Sequence, residues 1–226
     1  ERRGAKVGLL ATSGFRDILE IRRGDRAEMY NLIWTPPPPI VPRHLRLPIT
    51  ERMLADGSIH IELKEEDVVK ALETFNEEGV DSIAVTYLNA YVNPEHELRS
   101  EAILREAGFT GAISLSHQVS GEHREYERTT TTVVDAFVRN RMRGYMQALE
   151  DDLKSQGFSG QCLITRSGSG CMTFSEAEAR PFETIMSGPV AGAEGAGELA
   201  RALQLGDLIT ADVGGTSFRS EERRGG

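Results

Sequence analysis

Cysteine is scarce: Cys162 and Cys171 are the only two in 226 residues. Two thiols cannot build a disulfide scaffold, and they fit a reducing compartment. Long apolar runs are also missing, and none approaches the roughly 18 residues that a membrane span needs. No secretory pattern is visible. Together these absences predict a cytoplasmic protein with no membrane contact. Positive charge is in deficit, with 26 Lys and Arg against 35 Asp and Glu, a net charge of -9. Such a surface repels a phosphate backbone, which argues against general nucleic-acid binding. A local basic patch can still take a small anion.

What is present is ordinary for a globular chain. Hydrophobic residues make up 39% and charged residues 27%, enough apolar content to exclude disorder throughout. At about 150 residues per domain, the length allows one large domain or parts of two. No internal repeat is seen.

The opening residues 5–12 read as a buried strand, broken by Ser13-Gly14, and residues 15–21 have helical apolar spacing. Residues 22–50 carry Arg22, Arg23, Arg26, the run Pro36–Pro39, then Pro42 and Pro48. Proline fixes φ and removes a donor, so an extended, irregular excursion is expected. Tyr30, Leu32, Ile33 and Trp34 predict that this loop is packed. A helix is expected over 66–78 with Val68, Val69, Leu72 and Phe75 on one face, then a strand over 81–88. Asn93-Pro94-Glu95 starts a helix that Gly108 ends. A strand follows over 111–115. This alternation predicts α/β layers.

A long helix is expected from about residue 132 to 153, on the three-and-four spacing of Val134, Phe137, Val138, Met142, Tyr145, Leu149 and Leu153. A short strand follows over 161–165. Ser175-Glu176-Ala177-Glu178 has a capping-box pattern. A small-residue helix runs from Ser187 to about Leu203, and residues 208–213 form a strand. Asp212 ends that strand, and Gly214, Gly215, Thr216 and Ser217 follow. Glycines let backbone N–H groups approach phosphate oxygens, and the hydroxyls add donors. An Asp at a strand end can hold magnesium, directly or through its water. A hairpin turn with an incidental Asp has the same pattern.

The helix Ser187-Gly188-Pro189-Val190-Ala191-Gly192-Ala193-Glu194-Gly195-Ala196-Gly197, followed by this loop, resembles the connect helix and second phosphate loop of actin-like ATPases. GFRDILEI at 14–21, VPR at 41–43, NPEHE at 93–97 and REYER at 124–128 precede them in order. The ordered set is similar to the hydantoinase A / 5-oxoprolinase family over residues 1 to about 218.

The resemblance implies an incomplete ribonuclease-H-like, actin-type ATPase fold of α/β class. Residues 1–132 would be most of an N-terminal domain, and 133–218 the beginning of an ATPase domain. It implies ATP and Mg2+ as cofactors. Asp212 would be the catalytic and metal-binding residue, with Gly214, Gly215, Thr216 and Ser217 on the phosphates. The implied activity is ATP-dependent hydrolysis of a cyclic amide of N-methylhydantoin or 5-oxoproline type through a phosphorylated substrate. The alternatives are an ATP-dependent ketone carboxylase subunit and a non-catalytic fragment. A hydantoinase B-like subunit or domain is the implied partner.

The first phosphate loop is expected before Glu1 and the adenosine loop after Gly226. Where the family pattern has an Asp, this chain has Arg219. Residues 219–226 resemble the translation of a sequencing adapter, so a non-native tail is expected. Arg16, Arg124 and Arg128 are the candidate substrate contacts, since guanidinium groups pair with anions. Arg124 and Arg128 could equally pair with Glu125 and Glu127. His96 is expected at a helix start or on the surface, and His96, His117 and His123 lack the spacing of a zinc site. The nine-residue gap between Cys162 and Cys171 is not a redox motif.

Overall fold

A computed structural model of the protein describes residues 4–24, 26–213 and 218–223. They fall into two compact units, Glu1–Met142 and Arg143–Gly226. The first unit begins with strand β1 (Val7–Thr12), in which every residue is buried. Six buried residues in a row, without alternation, mark a strand covered on both faces. A one-turn helix α1 (Ile18–Ile21) follows, then loops, then β2 (Arg46–Ile49). A short antiparallel pair, β3 (Arg52–Met53) and β4 (Ile59–Ile61), leads into α2 (Glu65–Glu77). Next come β5 (Ser82–Thr86), α3 (Glu95–Glu106), β6 (Ala112–Leu115), the single turn α4 (Ser116–Val119) and the long helix α5 (Glu125–Ser155).

The main sheet has the order β2-β1-β5-β6, and all three pairings are parallel. From β1 the chain steps to one side for β2 and later to the other side for β5 and β6. The reversal falls between β1 and β5, the place where open parallel sheets leave a crevice at their carboxyl ends. Helix α2 packs on this sheet through Val68, Ala71, Leu72 and Phe75, spaced three and four apart. Burying each of these larger side chains stabilises the unit by about 1.5–3 kcal/mol. Gly8 on β1 is what lets α2 come this close. A Cβ added there would stand 2.6 Å from the Phe75 ring.

Four expectations are corrected in this unit. Tyr30, Leu32 and Ile33 are 93%, 92% and 88% exposed, so the excursion is not packed in its middle. Its far end is anchored by Val41 and Leu45, both fully buried. The intervening prolines hold the chain extended and cannot fold residues 30–33 back onto the core. Second, residues 46–49 are a strand despite Pro48. β2 is an edge strand, where a missing donor costs no ladder bond. Third, Val69 is 40% exposed, and Ala71 takes the inward position expected of it. Fourth, α5 starts at Glu125, well before residue 132. Its charged first turns are good helix formers, and Glu125 and Glu127 complement the positive end of the helix dipole.

The second unit is described by itself. β7 (Leu163–Thr165) and β8 (Cys171–Thr173) form an antiparallel hairpin. Helix α6 (Phe174–Ala179) is capped by Thr173, whose hydroxyl accepts from Glu176 N while the Glu176 carboxylate accepts from Thr173 N. The capping box is therefore Thr173 with Glu176, two residues earlier than the expected Ser175 with Glu178. Thr173 has the extended backbone that a cap requires, and Ser175 is already inside the helix. A 3-10 turn at Pro181–Thr184 leads to α7 (Ser187–Ala202). β9 (Leu208–Val213) and β10 (Phe218–Arg223) are antiparallel, with Arg219 opposite Asp212. Among the described residues, no helix is long and apolar enough to cross a membrane.

Candidate functional site

In the second unit, α7 and β9 enclose a groove of about 300 Å3. Gly188, Pro189, Gly192, Ala193 and Ala196 line it from the helix, and Ile209 to Asp212 from the strand. The groove exists because the helix presents almost no side chain there. A Cβ built at Gly188 or at Gly192 meets nothing within 4 Å, so the glycines leave space that a larger residue would take. Asp212 lies on the groove wall near the end of β9, and its side chain is exposed.

A wall of small residues and an exposed carboxylate suit one side of a site for a phosphate and its hard divalent cation. Gly214, Gly215, Thr216 and Ser217 lie outside the described residues. Among the described residues, no group of three or more His, Cys, Asp and Glu is placed to hold a metal ion. Cys162 is half-buried and Cys171 exposed, both free thiols.

The first unit has a second polar centre, at the carboxyl ends of β1 and β5. Thr12 Oγ1 donates to Glu51 Oε1 and accepts from Leu88 N at 2.9 Å. Glu51 Oε2 lies 2.8 Å from His96 Nδ1. Glu97 accepts from Tyr87 N at 3.1 Å, from Ser116 Oγ at 2.5 Å and from His117 N at 3.1 Å, and meets His117 Nδ1 at 2.7 Å. Tyr87 is buried and bonds Ser100 through its hydroxyl at 2.9 Å. Burial pushes that phenol well up from its ordinary range. His96 is thus a buried partner of a carboxylate and no surface residue: it is 4% exposed, and its Nε2 has no hydrogen-bond partner among the described residues. The NPEHE stretch hid this, because a helix start reads as surface until its tertiary neighbours are known.

Arg128 closes the same centre. It donates from Nη1 to Glu122 O at 2.6 Å and from Nη2 to Tyr87 O at 3.1 Å, and its guanidinium lies over the Tyr91 ring. Burial lowers its pKa from the ordinary value, with Glu97, Glu125 and Tyr91 acting in the other direction. The crevice left between β1 and β5 holds only about 10 Å3, room for about one water.

The three candidate arginines therefore have different settings. Arg128 is 1% exposed and satisfied largely by main-chain oxygens, with Nε unpaired among the described residues. Arg124 is exposed. Arg16 is half-buried beside Asp17, at 3.7 Å. Arg128 does not take up the alternative of pairing with Glu127, which is held by Arg23.

A parallel sheet with helices, followed by a small-residue helix and a strand ending in Asp, defines a mixed α/β protein with a partial actin-like ATPase fold. The hydantoinase/oxoprolinase N-terminal region matches residues 1–108, and hydantoinase/oxoprolinase matches residues 128–220. The chain belongs to the hydantoinase/oxoprolinase family. It is 34% identical to the caprolactamase subunit alpha of Pseudomonas jessenii over 100% of this chain and 33% of that protein. It is 36% identical to the acetophenone carboxylase gamma subunit of Aromatoleum aromaticum over 96% of this chain and 31% of that one.

Two solved structures are similar. The ATP-dependent caprolactamase of Pseudomonas jessenii matches with a TM-score of 0.79 and 31% identity, over 97% of this chain and 32% of that chain. Nucleotide-free acetone carboxylase matches with a TM-score of 0.86 and 26% identity, over 98% and 32%. The chain thus spans about a third of the length of these relatives.

Proposed function

We propose that this chain is part of the ATP-using subunit of an enzyme that opens a cyclic amide, of N-methylhydantoin or 5-oxoproline type. The observation that carries the proposal is the small-residue groove of α7 and β9, with Asp212 on its wall. Asp212 would hold Mg2+, directly or through a water. The main-chain N–H groups of Gly214 and Gly215 and the hydroxyls of Thr216 and Ser217 would take the phosphates. Bound ATP with Mg2+ supplies a phosphoryl group that gives an unreactive oxygen a leaving group. Positioning and charge neutralisation are then the protein's share of the work. Relatives named as alpha and gamma subunits support a second subunit as partner, and a hydantoinase B type for it is part of the proposal.

A ketone carboxylase is the second reading. The closer backbone match to acetone carboxylase favours it. Phosphate release by the intact protein with its partner separates the two. Release that requires a lactam and ignores bicarbonate supports the amidohydrolase. Release that requires a ketone and bicarbonate moves the assignment to the carboxylase. No stimulation by either substrate overturns both. Residues 1–132 and 133–218 as separate domains, and 219–226 as a non-native tail, remain part of the same proposal. Its first boundary, like the division between the compact units, falls inside α5.

A further inference from the structure

The proline run covers a cavity in the first unit. Pro37, Pro38, Pro39 and Ile40 form one side of it, and Leu19 of α1 with Arg22 just after that helix another. Tyr126, Thr130 and Val133 close it from α5. The spacing of these three, four and then three residues, places them on one face of the helix. The volume is about 180 Å3, a little more than the roughly 150 Å3 of an apolar cavity that takes up benzene.

Its lining is mostly apolar, and the polar groups are few: Arg22 after α1, and Tyr126 and Thr130 on α5. Among the described residues, Arg22 makes no ion pair, although its neighbours do: Arg23 is paired with Glu127, Arg43 with Asp17, and Arg46 with Glu20. Arg22 also ends α1 at φ 57, a conformation that side-chain-bearing residues rarely adopt. Among the described residues, the nearby acids Asp17, Glu20 and Glu127 are engaged elsewhere. The lining adds the Tyr126 phenol, whose hydroxyl forms no hydrogen bond among the described residues. Rigid prolines keep such a space open at low entropic cost, because they have little freedom to lose.

We propose that this cavity binds a compact molecule with an apolar body and one carbonyl or carboxylate group, the oxygen directed to Arg22 and the body to Leu19, Ile40 and Val133. Apolar walls with a few polar groups are the usual make-up of a small-molecule site. The reading of the protein as a cyclic amide or ketone enzyme guides only the choice of probes. The site stands on its own residues and does not depend on nucleotide.

The test is a titration of the full chain, methyl-labelled, with three probes and no ATP. The probes are 2-pyrrolidinone, cyclopentanone and pivalate, so that lactam, ketone and carboxylate are separate arms, and tetramethylammonium is the control of opposite charge. The expected result is a saturable shift of the Leu19, Ile40 and Val133 methyl signals by at least one probe, at about millimolar affinity for molecules this small. Thr130→Leu adds bulk on the half-buried side of the wall and should weaken binding by at least about tenfold, roughly 1.4 kcal/mol. Val133→Leu, at a core position, should do the same; the signals of Val7, Leu9 and Leu10 report whether either variant keeps its fold. Arg22→Gln should weaken the pivalate arm most. No saturable shift up to about 50 mM with any probe overturns the site, since such weak affinity has no recognition in it. Equal binding of tetramethylammonium, or binding unchanged in both folded filling variants, overturns it too. Loss of ATP turnover would count against the proposed function and leave this result untouched.

Discussion

Arg128 Nη2 lies 3.1 Å from the main-chain oxygen of Tyr87, so a side chain of the long helix closes the carboxyl end of a central strand. The same guanidinium reaches Glu122 O at 2.6 Å and so holds the segment that leads into the helix. A buried cation bonded to carbonyls joins the start of the long helix to the end of β5, 41 residues earlier in the chain.

Replacing Arg128 with Met removes both bonds and leaves two main-chain oxygens to find other partners. Leaving buried groups unsatisfied costs about 1–3 kcal/mol each, so a loss of about 2–4 kcal/mol is expected for Arg128→Met. The midpoint of urea unfolding should fall accordingly. An unchanged midpoint would show that these contacts do not hold the junction.

Glu51 makes a similar prediction within the same polar centre. Its carboxylate serves Thr12 and His96 at once, and all three side chains are buried. Glu51→Ala leaves a hydroxyl and an imidazole without their partner and should cost about 2–4 kcal/mol. His96→Ala removes a group whose Nε2 is already unpartnered, so it should cost less than Glu51→Ala. The reverse order in urea unfolding would contradict the arrangement.

Stability should depend on acid in a stated direction. The hydrogen bond from Arg43 holds the Asp17 carboxyl below its usual range, as Arg99 does for Glu65 and Lys6 for Glu78. At Asp67, burial works upward but is outweighed by hydrogen bonds from Thr50 and by Lys64. A carboxylate lowered in the folded state stabilises it fully above the unfolded pKa of about 4, and that contribution is lost as pH falls through the lower folded value. The melting temperature should therefore change little between about pH 7 and 5 and fall steadily below about pH 4. A melting temperature that rose on acidification would contradict these pairings.

The groove of the second unit predicts opposite effects on stability and binding. Gly192 lies in the interior of α7, where Ala is preferred over Gly by about 0.5–1 kcal/mol. A Cβ there meets nothing within 4 Å among the described residues outside its own stretch of helix. Gly192→Ala should raise the melting temperature slightly, and Gly192→Leu should fill the groove and weaken nucleotide binding by the intact protein. Nucleotide affinity unaffected by Leu would remove the groove from the site.

The parts of the fold carried by local pattern were legible in the sequence. The unbroken apolar run of β1, the three-and-four spacing of Val68, Leu72 and Phe75, and the small residues of α7 each determine an element without outside help. What was not legible depends on long-range partners. Pro48 sits in a strand because that strand is at an edge. Glu125 to Arg128 are helical although their charges read as a loop. His96 is buried because Glu51, far away in the chain, needs a partner. The Asp at the end of β9 could be read from the sequence; the cavity beneath the prolines could not, since Leu19, Pro38 and Val133 meet only in the folded unit.

The most direct test of the central claim is ATP turnover by the intact protein carrying Asp212→Ala. A ligand carboxylate of a metal-assisted phosphoryl transfer should cost at least about a hundredfold in turnover when removed. The account predicts that loss with an unchanged melting temperature, because Asp212 is exposed and its removal uncovers no buried group. Turnover equal to that of the unaltered protein would contradict it.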